Sequence, residues 1–374
     1  MSELELSVEL AGVKLKSPLI LAAGGPYTKD GETMAKVAKY GMGAITTKTI
    51  CFEAAEVARP CMVRIQGGLL NCEEWSELDY KAWIEKEIKR ARAGGVPIIA
   101  SIASLKDDVN EVSTIARGVT EAGADMIEVT AGYISENLPR LVSAAKKAAG
   151  GIPILAKLCL DHYDISGIGK SLEKAGADGI SAIDTIGPCY KIDIETGKLV
   201  MGRASGVGRI SGPAIKPTAI YVVATLARAV KIPIVGMGGV SNGDDAIEMM
   251  MAGAKAVGVC TAALLSGLQV FNKINGEIID YMKRKGYDSL KPIVGLALKD
   301  IEIREKEQRA VYEARPPIIK AERCIGCMAC ERVCGYYAIK VSNKKPMVNP
   351  TLCYGCGLCI SVCPTDALLS PYLK

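Results

Sequence analysis

The first 300 residues alternate between short apolar runs and longer segments whose apolar residues recur every three or four positions. Some runs follow a proline, as in Pro97-Ile-Ile-Ala, and others follow a glycine–alanine step, as in Ala122-Gly-Ala-Asp-Met-Ile. A strand buried on both faces reads as a continuous apolar run, whereas a helix covering a sheet shows the longer spacing. The runs begin near residues 18, 43, 97, 125, 153, 178, 233 and 256, and the helical segments include 81–92, 107–121, 138–149 and 215–229.

Eight strand–helix units of this kind predict a closed (β/α)8 TIM barrel. A doubly wound open sheet is the alternative, but no apolar run is followed directly by Gly-x-Gly-x-x-Gly. Alternation around Ala11-Gly12 predicts a hairpin that closes the far end of the barrel. Two long connections, 49–78 and 187–211, follow the second and sixth strands, on the side where barrels bind ligands, and we expect lids or binding loops there.

Composition restricts the class of protein. Of the 374 residues, 49% are apolar and 23% are charged, which excludes a disordered chain. No apolar stretch reaches the roughly 18 to 20 residues of a membrane span, and the N-terminal alternation of apolar and acidic residues is unlike a secretory signal. We therefore expect a cytoplasmic protein that binds no membrane. Fourteen cysteines in such a chain indicate metal or redox chemistry.

Eight of these cysteines fall in the last 51 residues, in two runs with the same spacing. That spacing is typical of bacterial ferredoxins with two [4Fe–4S] clusters, in which the fourth cysteine of each run binds the other cluster. Two zinc sites are the alternative, but their Cys-x-x-Cys pairs normally lie farther apart. We expect one cluster on Cys324, Cys327, Cys330 and Cys363, and the other on Cys353, Cys356, Cys359 and Cys334.

The charge distribution also sets the tail apart. Residues 317–374 carry seven Lys or Arg and three Asp or Glu, hence +4 of the net +5. A basic tail can bind nucleic acid, but the thiolates around two clusters would offset this charge, and we expect no nucleic acid partner. The predicted organisation is a barrel over 1–305, a linker over 306–317 within a charge-dense segment, and a two-cluster ferredoxin domain over 318–374.

Phosphate binding is predicted at the seventh and eighth strands. Gly238 and Gly239 follow the seventh strand and Thr261 follows the eighth, where barrels form phosphate sites from backbone N–H groups. Glycines in ordinary tight turns are the alternative. Lys48 and Lys157 end the second and fifth strands, and a lysine in an apolar strand is costly to bury without an anion. A phosphate site, two lysines and a cluster relay together predict flavin mononucleotide (FMN).

The barrel resembles the dihydroorotate dehydrogenase superfamily in five stretches: 17–24, 47–50, 68–71, 211–217 and 233–261. Together with the ferredoxin segment, it is similar to the C-terminal part of dihydropyrimidine dehydrogenase. The resemblance implies electron transfer at a carbon–carbon (CH–CH) bond. It also implies that FMN is held by Ala23, Gly24, Lys48, Lys157, Ser211, Gly212, Gly238, Gly239, Cys260 and Thr261.

The family's substrate motifs are altered. Its strand-four motif Asn-Leu-Ser-Cys-Pro-Asn falls on residues 130–135, and its strand-six Asn-Thr is Asp184-Thr185. Of four asparagines that bind a pyrimidine, Asn71 is retained, and each unpaired polar group would cost roughly 1 to 3 kcal/mol. We therefore expect a small polar substrate other than orotate or uracil. The candidate substrate-binding residues are Asn71, Thr130, Ser135, Asp184 and Thr185.

The proton donor stays open among four residues. Tyr133 occupies the family's Cys or Ser position and is the first candidate, with Lys48 as a second catalytic residue. A tyrosine there can also simply line the pocket. Cys72 and Cys189, on the two long connections, and His162, just after the fifth strand, are the alternatives.

These features predict an iron–sulfur flavoprotein oxidoreductase. It would relay electrons between a ferredoxin or other redox subunit, two clusters and FMN, and reduce or oxidise a C=C bond in a homo- or hetero-oligomer. An electron-transfer subunit without its own substrate is the main alternative, and a phosphate-binding barrel without flavin is the third. Any use of NAD(P)H would need another subunit.

Overall fold

The computed structural model describes residues 4–131, 135–160, 164–308 and 310–373. The chain divides into two compact units, Met1–Ile301 and Glu302–Lys374. In chain order the strands of the first unit are β1 Val8–Leu10, β2 Val13–Leu15, β3 Leu19–Leu21, β4 Ala44–Thr46, β5 Met62–Ile65, β6 Gly68–Asn71, β7 Ile98–Ile102, β8 Met126–Val129, β9 Ile154–Leu158, β10 Gly179–Ala182, β11 Ile186–Cys189, β12 Gly208–Ser211, β13 Ile234–Met237 and β14 Ala254–Val259.

The helices alternate with the barrel strands. They are α1 Gly31–Val37, α2 Tyr80–Ala82, α3 Ile88–Ala91, α4 Val109–Ala122, α5 Leu138–Ala148, α6 Ile165–Lys174, α7 Lys216–Ala229, α8 Gly243–Met251, α9 Thr261–Ser266, α10 Val270–Lys285 and α11 Leu298–Glu307. A π-helical segment, Trp83–Glu87, joins α2 to α3. Helix α11 occupies the start of the charge-dense segment that precedes the cysteine runs.

Eight parallel strands close into a barrel in the order β10-β13-β14-β3-β4-β7-β8-β9. This confirms the predicted TIM barrel and excludes the doubly wound sheet. Each barrel strand starts within about two residues of a predicted apolar run. The expected hairpin also forms: β1 pairs with β2 across Ala11-Gly12, and Leu10 and Leu15 are fully buried in the core.

The repeated Gly-Ala-Asp sequence has a local physical reason. Gly123 ends α4 with φ +100°, a left-handed conformation that glycine adopts without the steric cost of a Cβ atom. Two residues later, Asp125 accepts a hydrogen bond from the backbone N–H of Ile98 on the neighbouring strand, at 2.8 Å. Asp178 does the same for Ile154, at 2.8 Å. The motif therefore ends a helix and aligns the start of two adjacent strands.

The two long connections pair with each other. They were expected to be lids or binding loops, and parts of both form the four-stranded antiparallel sheet β11-β12-β6-β5. Strand β12 pairs with β6 through Arg209 and Asn71, Ile210 and Leu70, and Ser211 and Leu69. This sheet fixes Asn71 and Ser211, two predicted site residues, relative to each other.

The second unit is small and is built around the cysteine runs. Its elements are α12 Ala329–Arg332, α13 Leu358–Ser361, β15 Ile318–Ile319, β16 Ile339–Ser342, β17 Lys345–Val348 and β18 Leu368–Leu369. Strands β16 and β17 form a hairpin, and β15 pairs with β18. Its buried core consists of Cys330, Ile339 and Leu368. Across the described parts of both units, we find no helix with the length and apolarity that crossing a bilayer requires.

Replacing Gly31 by alanine should destabilise the barrel. The Gly31 N–H donates to the Glu87 carboxylate at 2.9 Å, and an added Cβ would lie 1.9 Å from the Glu87 carbonyl oxygen. Such overpacking costs about 1 to 3 kcal/mol. Thermal unfolding of Gly31→Ala should therefore begin at a lower temperature than that of the wild type.

Gly276→Ala is the matched control. Gly276 lies inside α10, and apart from its chain neighbours and its own helix backbone no atom lies within 4 Å of its added Cβ. Alanine is favoured over glycine in a helix by about 1 kcal/mol, so this variant should be at least as stable as the wild type. If Gly31→Ala unfolds at the same temperature as Gly276→Ala, α1 does not approach the Glu87 backbone this closely.

Candidate active site

A cavity of about 510 Å³ opens at the carboxyl ends of the barrel strands. All ten residues predicted to bind the cofactor line it, and so do four of the five predicted substrate residues: Asn71, Thr130, Asp184 and Thr185. Residue Ser135 begins a short 3₁₀ helix, and its side chain lies outside the described atoms. Tyr133 and His162 also lie outside the described residues.

Cys72 and Cys189, the two cysteines considered as proton donors, do not line this cavity in the described structure. Cys72 is buried and directs its Sγ toward the carbonyl of Pro60 at 3.8 Å, and Cys189 Sγ lies 3.7 Å from the carbonyl of Ile186. Two other cysteines, Cys51 and Cys260, line the cavity instead. Burial, with repulsion from nearby carboxylates, raises the pKa of each thiol to about 12, so both are protonated at neutral pH.

Lys157 lies between two carboxylates inside the barrel. Its Nζ atom is 3.3 Å from Asp184 Oδ2 and 3.8 Å from Glu128 Oε1. The lysine side chain is 8% exposed and that of Glu128 is 2% exposed. Strand geometry sets this arrangement, since Lys157 is on β9, between β8 with Glu128 and β10, after which Asp184 follows.

Burial alone would neutralise this cluster, but the opposite charges prevent it. Burial disfavours the charged lysine, yet the Asp184 and Glu128 carboxylates outweigh this effect and raise the pKa of Lys157. Burial likewise disfavours the charged aspartate, but Lys157 and a hydrogen bond from the Thr185 N–H lower the pKa of Asp184. Lys157 and Asp184 are therefore ionised together at neutral pH.

The other cations of the cavity are paired in the same way. Lys48 Nζ lies 3.2 Å from Glu73 Oε1, and both side chains are mostly buried. The second Glu73 oxygen accepts a hydrogen bond from the Gly25 N–H at 2.9 Å. Arg203 is 2.7 Å from Glu74. Every Lys and Arg that lines the described cavity thus has a carboxylate within 4 Å.

A second set of lining residues suits an anion. Gly238 and Gly239 have φ +120° and +84°, and a Cβ on Gly239 would lie 2.8 Å from the Gly212 carbonyl oxygen, so only glycine fits. Thr261 donates from its hydroxyl to that of Ser211 at 2.8 Å. Backbone N–H groups and two hydroxyls suit a phosphate, and two lysines suit the electron-rich ring of a reduced flavin. The cavity therefore fits FMN.

The second unit has two cavities, each lined by four cysteines. The larger, of about 380 Å³, is lined by Cys334, Cys353, Cys356 and Cys359. The smaller is lined by Cys324, Cys327, Cys330 and Cys363. Each cavity therefore combines the fourth cysteine of one run with the first three of the other, the arrangement that the sequence analysis expects. Four sulfur donors around a closed space suit a [4Fe–4S] cluster.

One of these cysteines has groups that favour its thiolate form. The Ala367 N–H donates to Cys363 Sγ at 3.3 Å. Burial opposes the thiolate, but the backbone N–H groups of Thr365 and Ala367 outweigh it and lower the pKa of Cys363. Such N–H groups are common around iron–sulfur sites, where they stabilise the charge on sulfur.

Three carboxylates were not predicted from the sequence: Glu73 and Glu74, which line the first cavity, and Glu128, which lies 3.8 Å from Lys157. Glu128 stands alone in the apolar run Met126-Ile-Glu128-Val, and the argument applied to Lys157 would have found it. Glu73 and Glu74 lie in a long connection with no periodic pattern. Their pairing with Lys48 and Arg203 depends on the antiparallel sheet, which no local signal predicted.

Comparisons with known proteins agree with this geometry. The family described as "Dihydroorotate dehydrogenase" matches residues 5–282, and the family described as "4Fe-4S dicluster domain" matches residues 323–367. The first family implies FMN, and the second implies iron–sulfur clusters. The resemblance found in the sequence and the predicted cofactors are thereby confirmed at the level of the family.

Several curated relatives carry the name "Dihydroorotate dehydrogenase B (NAD(+)), catalytic subunit". The one from Pyrococcus abyssi is 34% identical over 304 residues, which cover 79% of this chain and 99% of the relative. The one from Methanosarcina mazei is 37% identical over 306 residues, covering 78% of this chain and 95% of the relative. About a fifth of this chain therefore lies outside each alignment.

Pairs of cysteine substitutions test how the two runs share the clusters. Cys334→Ser and Cys353→Ser alter different runs but the same cavity, so the double variant should lose one cluster and keep about half of the iron. Cys330→Ser combined with Cys334→Ser alters one run but both cavities, and should lose nearly all of it. Iron per chain after anaerobic reconstitution is the measurement.

Cys61→Ser, in the barrel unit, is the control and should keep all of the iron. The opposite pattern, with half of the iron kept by the same-run pair and none by the cross-run pair, would mean that each run binds its own cluster.

Proposed function

The chain belongs to the dihydroorotate dehydrogenase family of oxidoreductases, which act on CH–CH groups, and on this basis we propose a reaction for it. Electrons pass between a ferredoxin-like protein or another redox subunit, the two [4Fe–4S] clusters and FMN. The flavin end of this relay reduces or oxidises a carbon–carbon double bond in a small polar molecule. That molecule is neither orotate nor uracil.

The residues of the barrel cavity have separate tasks in this proposal. FMN supplies the exchange between one-electron transfer with the clusters and two-electron transfer with the substrate. Gly238, Gly239 and Thr261 hold its phosphate, and Lys48 and Lys157 lie against the more electron-rich part. Asn71, Thr130 and Thr185 offer hydrogen bonds to the substrate. Tyr133 remains the proposed proton donor, and Cys51 and Cys260 add protonated thiols to the same cavity.

The matched charges of the cavity are the observation that carries the choice of substrate. Orotate is a carboxylate that an unmatched cation would bind favourably, whereas Lys48, Lys157 and Arg203 each have a carboxylate partner. Uracil is neutral, but its edge needs both donors and acceptors. An asparagine offers both, whereas the ionised Asp184 only accepts. The cavity is therefore better suited to a neutral substrate rich in hydrogen-bond donors.

The relatives' names limit what carries over to this chain. Those proteins are named for dihydroorotate and NAD(+), and as catalytic subunits. Asp184 and Thr130 stand where the family has asparagines, so we do not propose the relatives' substrate for this chain. Because the relatives are named as subunits, they support the proposal that this chain works with a redox partner.

A second candidate, an electron-transfer subunit without its own substrate, has one specific observation in its favour. Polar groups at the substrate end are engaged by the protein itself. The Asn71 amide donates to the Arg209 carbonyl at 3.3 Å, and Asp184 accepts from Thr185 at 2.6 Å and pairs with Lys157. A substrate would have to displace or share these contacts.

Reoxidation of the reduced flavin tests the proposal. We expect neutral, donor-rich molecules with a conjugated C=C bond to reoxidise the flavin at least ten times faster than orotate or uracil. The physical reason is that an unpaired buried charge or polar group costs about 1 to 3 kcal/mol, and 1.4 kcal/mol is tenfold in rate. Anaerobic stopped-flow absorbance with such a panel is the measurement.

The enzyme and the electron-transfer subunit predict different outcomes in this experiment. Oxidised ferredoxin should reoxidise the protein in both cases, which confirms that the electrons are available. If orotate is as fast as the best member of the panel, our choice of substrate is wrong. Reoxidation by ferredoxin and by no C=C compound would favour the electron-transfer subunit.

A further inference from the structure

The buried lysine of the barrel has more negative charge around it than it needs. Lys157 carries one positive charge, whereas Asp184 and Glu128, at 3.3 and 3.8 Å from its Nζ atom, are two carboxylates. Either carboxylate alone would match the single charge of Lys157. The second carboxylate therefore calls for a role other than holding Lys157.

Glu128 is placed for its charge rather than for a hydrogen bond. Its side chain is 2% exposed, and Oε1 has no hydrogen-bond partner in the described structure. The 3.8 Å to Lys157 is too long for a hydrogen bond but short for a Coulomb interaction. Ser181, which lies opposite Lys157 in the β10–β9 strand register, also has a hydroxyl without a hydrogen-bond partner in the described structure. An unsatisfied buried oxygen is unfavourable, so a purely structural role would not account for it.

Asp184 is placed where its charge can act on a bound molecule. It lines the cavity together with Lys157, its side chain is 26% exposed, and its Oδ2 atom lies 3.3 Å from Lys157 Nζ. Arg209 also attracts this carboxylate, but less than Lys157 does, and the Arg209 guanidinium is hydrogen-bonded to Thr185. The family's asparagine at this position would give the same shape without the charge.

We propose that Asp184 and Glu128 set the reduction potential of the flavin by offsetting the charge of Lys157. Reduction of FMN by two electrons and one proton leaves the ring with one negative charge. Nearby negative charge disfavours this product and nearby positive charge favours it, whichever edge of the ring faces Lys157. The two carboxylates therefore lower the potential. The inference rests on the proposed place of FMN in this cavity but not on the identity of the substrate.

A lowered flavin potential favours one direction of the reaction, the reduction of the substrate. A flavin of low potential is a strong reductant, and low-potential [4Fe–4S] clusters are suitable electron donors for it. Two electrons would then arrive at FMN one at a time from the clusters, and one proton from solvent would complete the anionic reduced ring. Both electrons and that proton would pass as a hydride to one carbon of the double bond, and a second proton, from the proposed donor or from solvent, would go to the other carbon. The cluster irons are oxidised and the substrate is reduced, so Asp184 and Glu128 favour the reductive direction.

Potentiometric titration of the bound flavin tests this role. The variants Asp184→Asn and Glu128→Gln each keep the shape of the side chain and remove one negative charge. The midpoint potential of FMN should rise in both and should rise further in the double variant. Glu74→Gln is the matched control, since Glu74 lines the same cavity but pairs with Arg203. Its potential should shift less than that of either single variant.

Each outcome decides the proposal. Equal FMN potentials in the wild type, Asp184→Asn and Glu128→Gln would overturn it. A rise in Glu74→Gln as large as in those variants would also overturn it, since removing any nearby negative charge would then shift the potential. If one variant fails to fold, the other alone still shows whether the midpoint potential of FMN rises. Loss of bound flavin in both variants would also contradict it, because the carboxylates would then hold the site. A wild-type protein that binds no FMN would remove the proposed function as well, whereas unchanged potentials would leave that function intact.

Discussion

The burial of a charged lysine inside an apolar barrel is the constraint on which the rest of the site depends. Lys157 lies in a strand whose residues are otherwise all apolar and buried, where an unpaired ammonium group would be very costly. Glu128 and Asp184 offset that cost from the strands on either side. Lys157 in turn offsets the cost of burying the Asp184 carboxylate, together with the Thr185 N–H and Arg209. Lys157 and Asp184 line the cavity and Glu128 lies 3.8 Å from the lysine, so these three residues contribute strongly to its electrostatic character.

The second unit obeys a different constraint, that of size. With three buried residues at its centre, it is too small for a hydrophobic core to stabilise it alone. Its cysteines replace that core, because each cavity joins the two runs and a bound cluster crosslinks them. Binding of the clusters and folding of this unit are therefore coupled. The same ligands give stability and a path for electrons.

Much of this architecture could be predicted because its signals are local. Continuous apolar runs predict the barrel strands, and the cysteine spacing predicts which cysteines line each of the two cavities. Lys157 was found from its unlikely place in an apolar strand. By contrast, the sheet formed by the two long connections depends on pairing between residues such as Leu70 and Ile210, which lie far apart in the sequence. Glu73, which that sheet brings to Lys48, had no signal of its own. The position of Tyr133 stays a prediction, because it lies outside the described residues.

A crystal structure of the protein loaded with FMN under anaerobic conditions tests the central claim most directly. We expect the flavin ring in the barrel cavity, in contact with Lys157 and within reach of Asp184. Its phosphate should lie against Gly238, Gly239 and Thr261. A flavin bound elsewhere, or one whose ring is remote from Lys157 with the lysine still enclosed by its two carboxylates, would contradict the account.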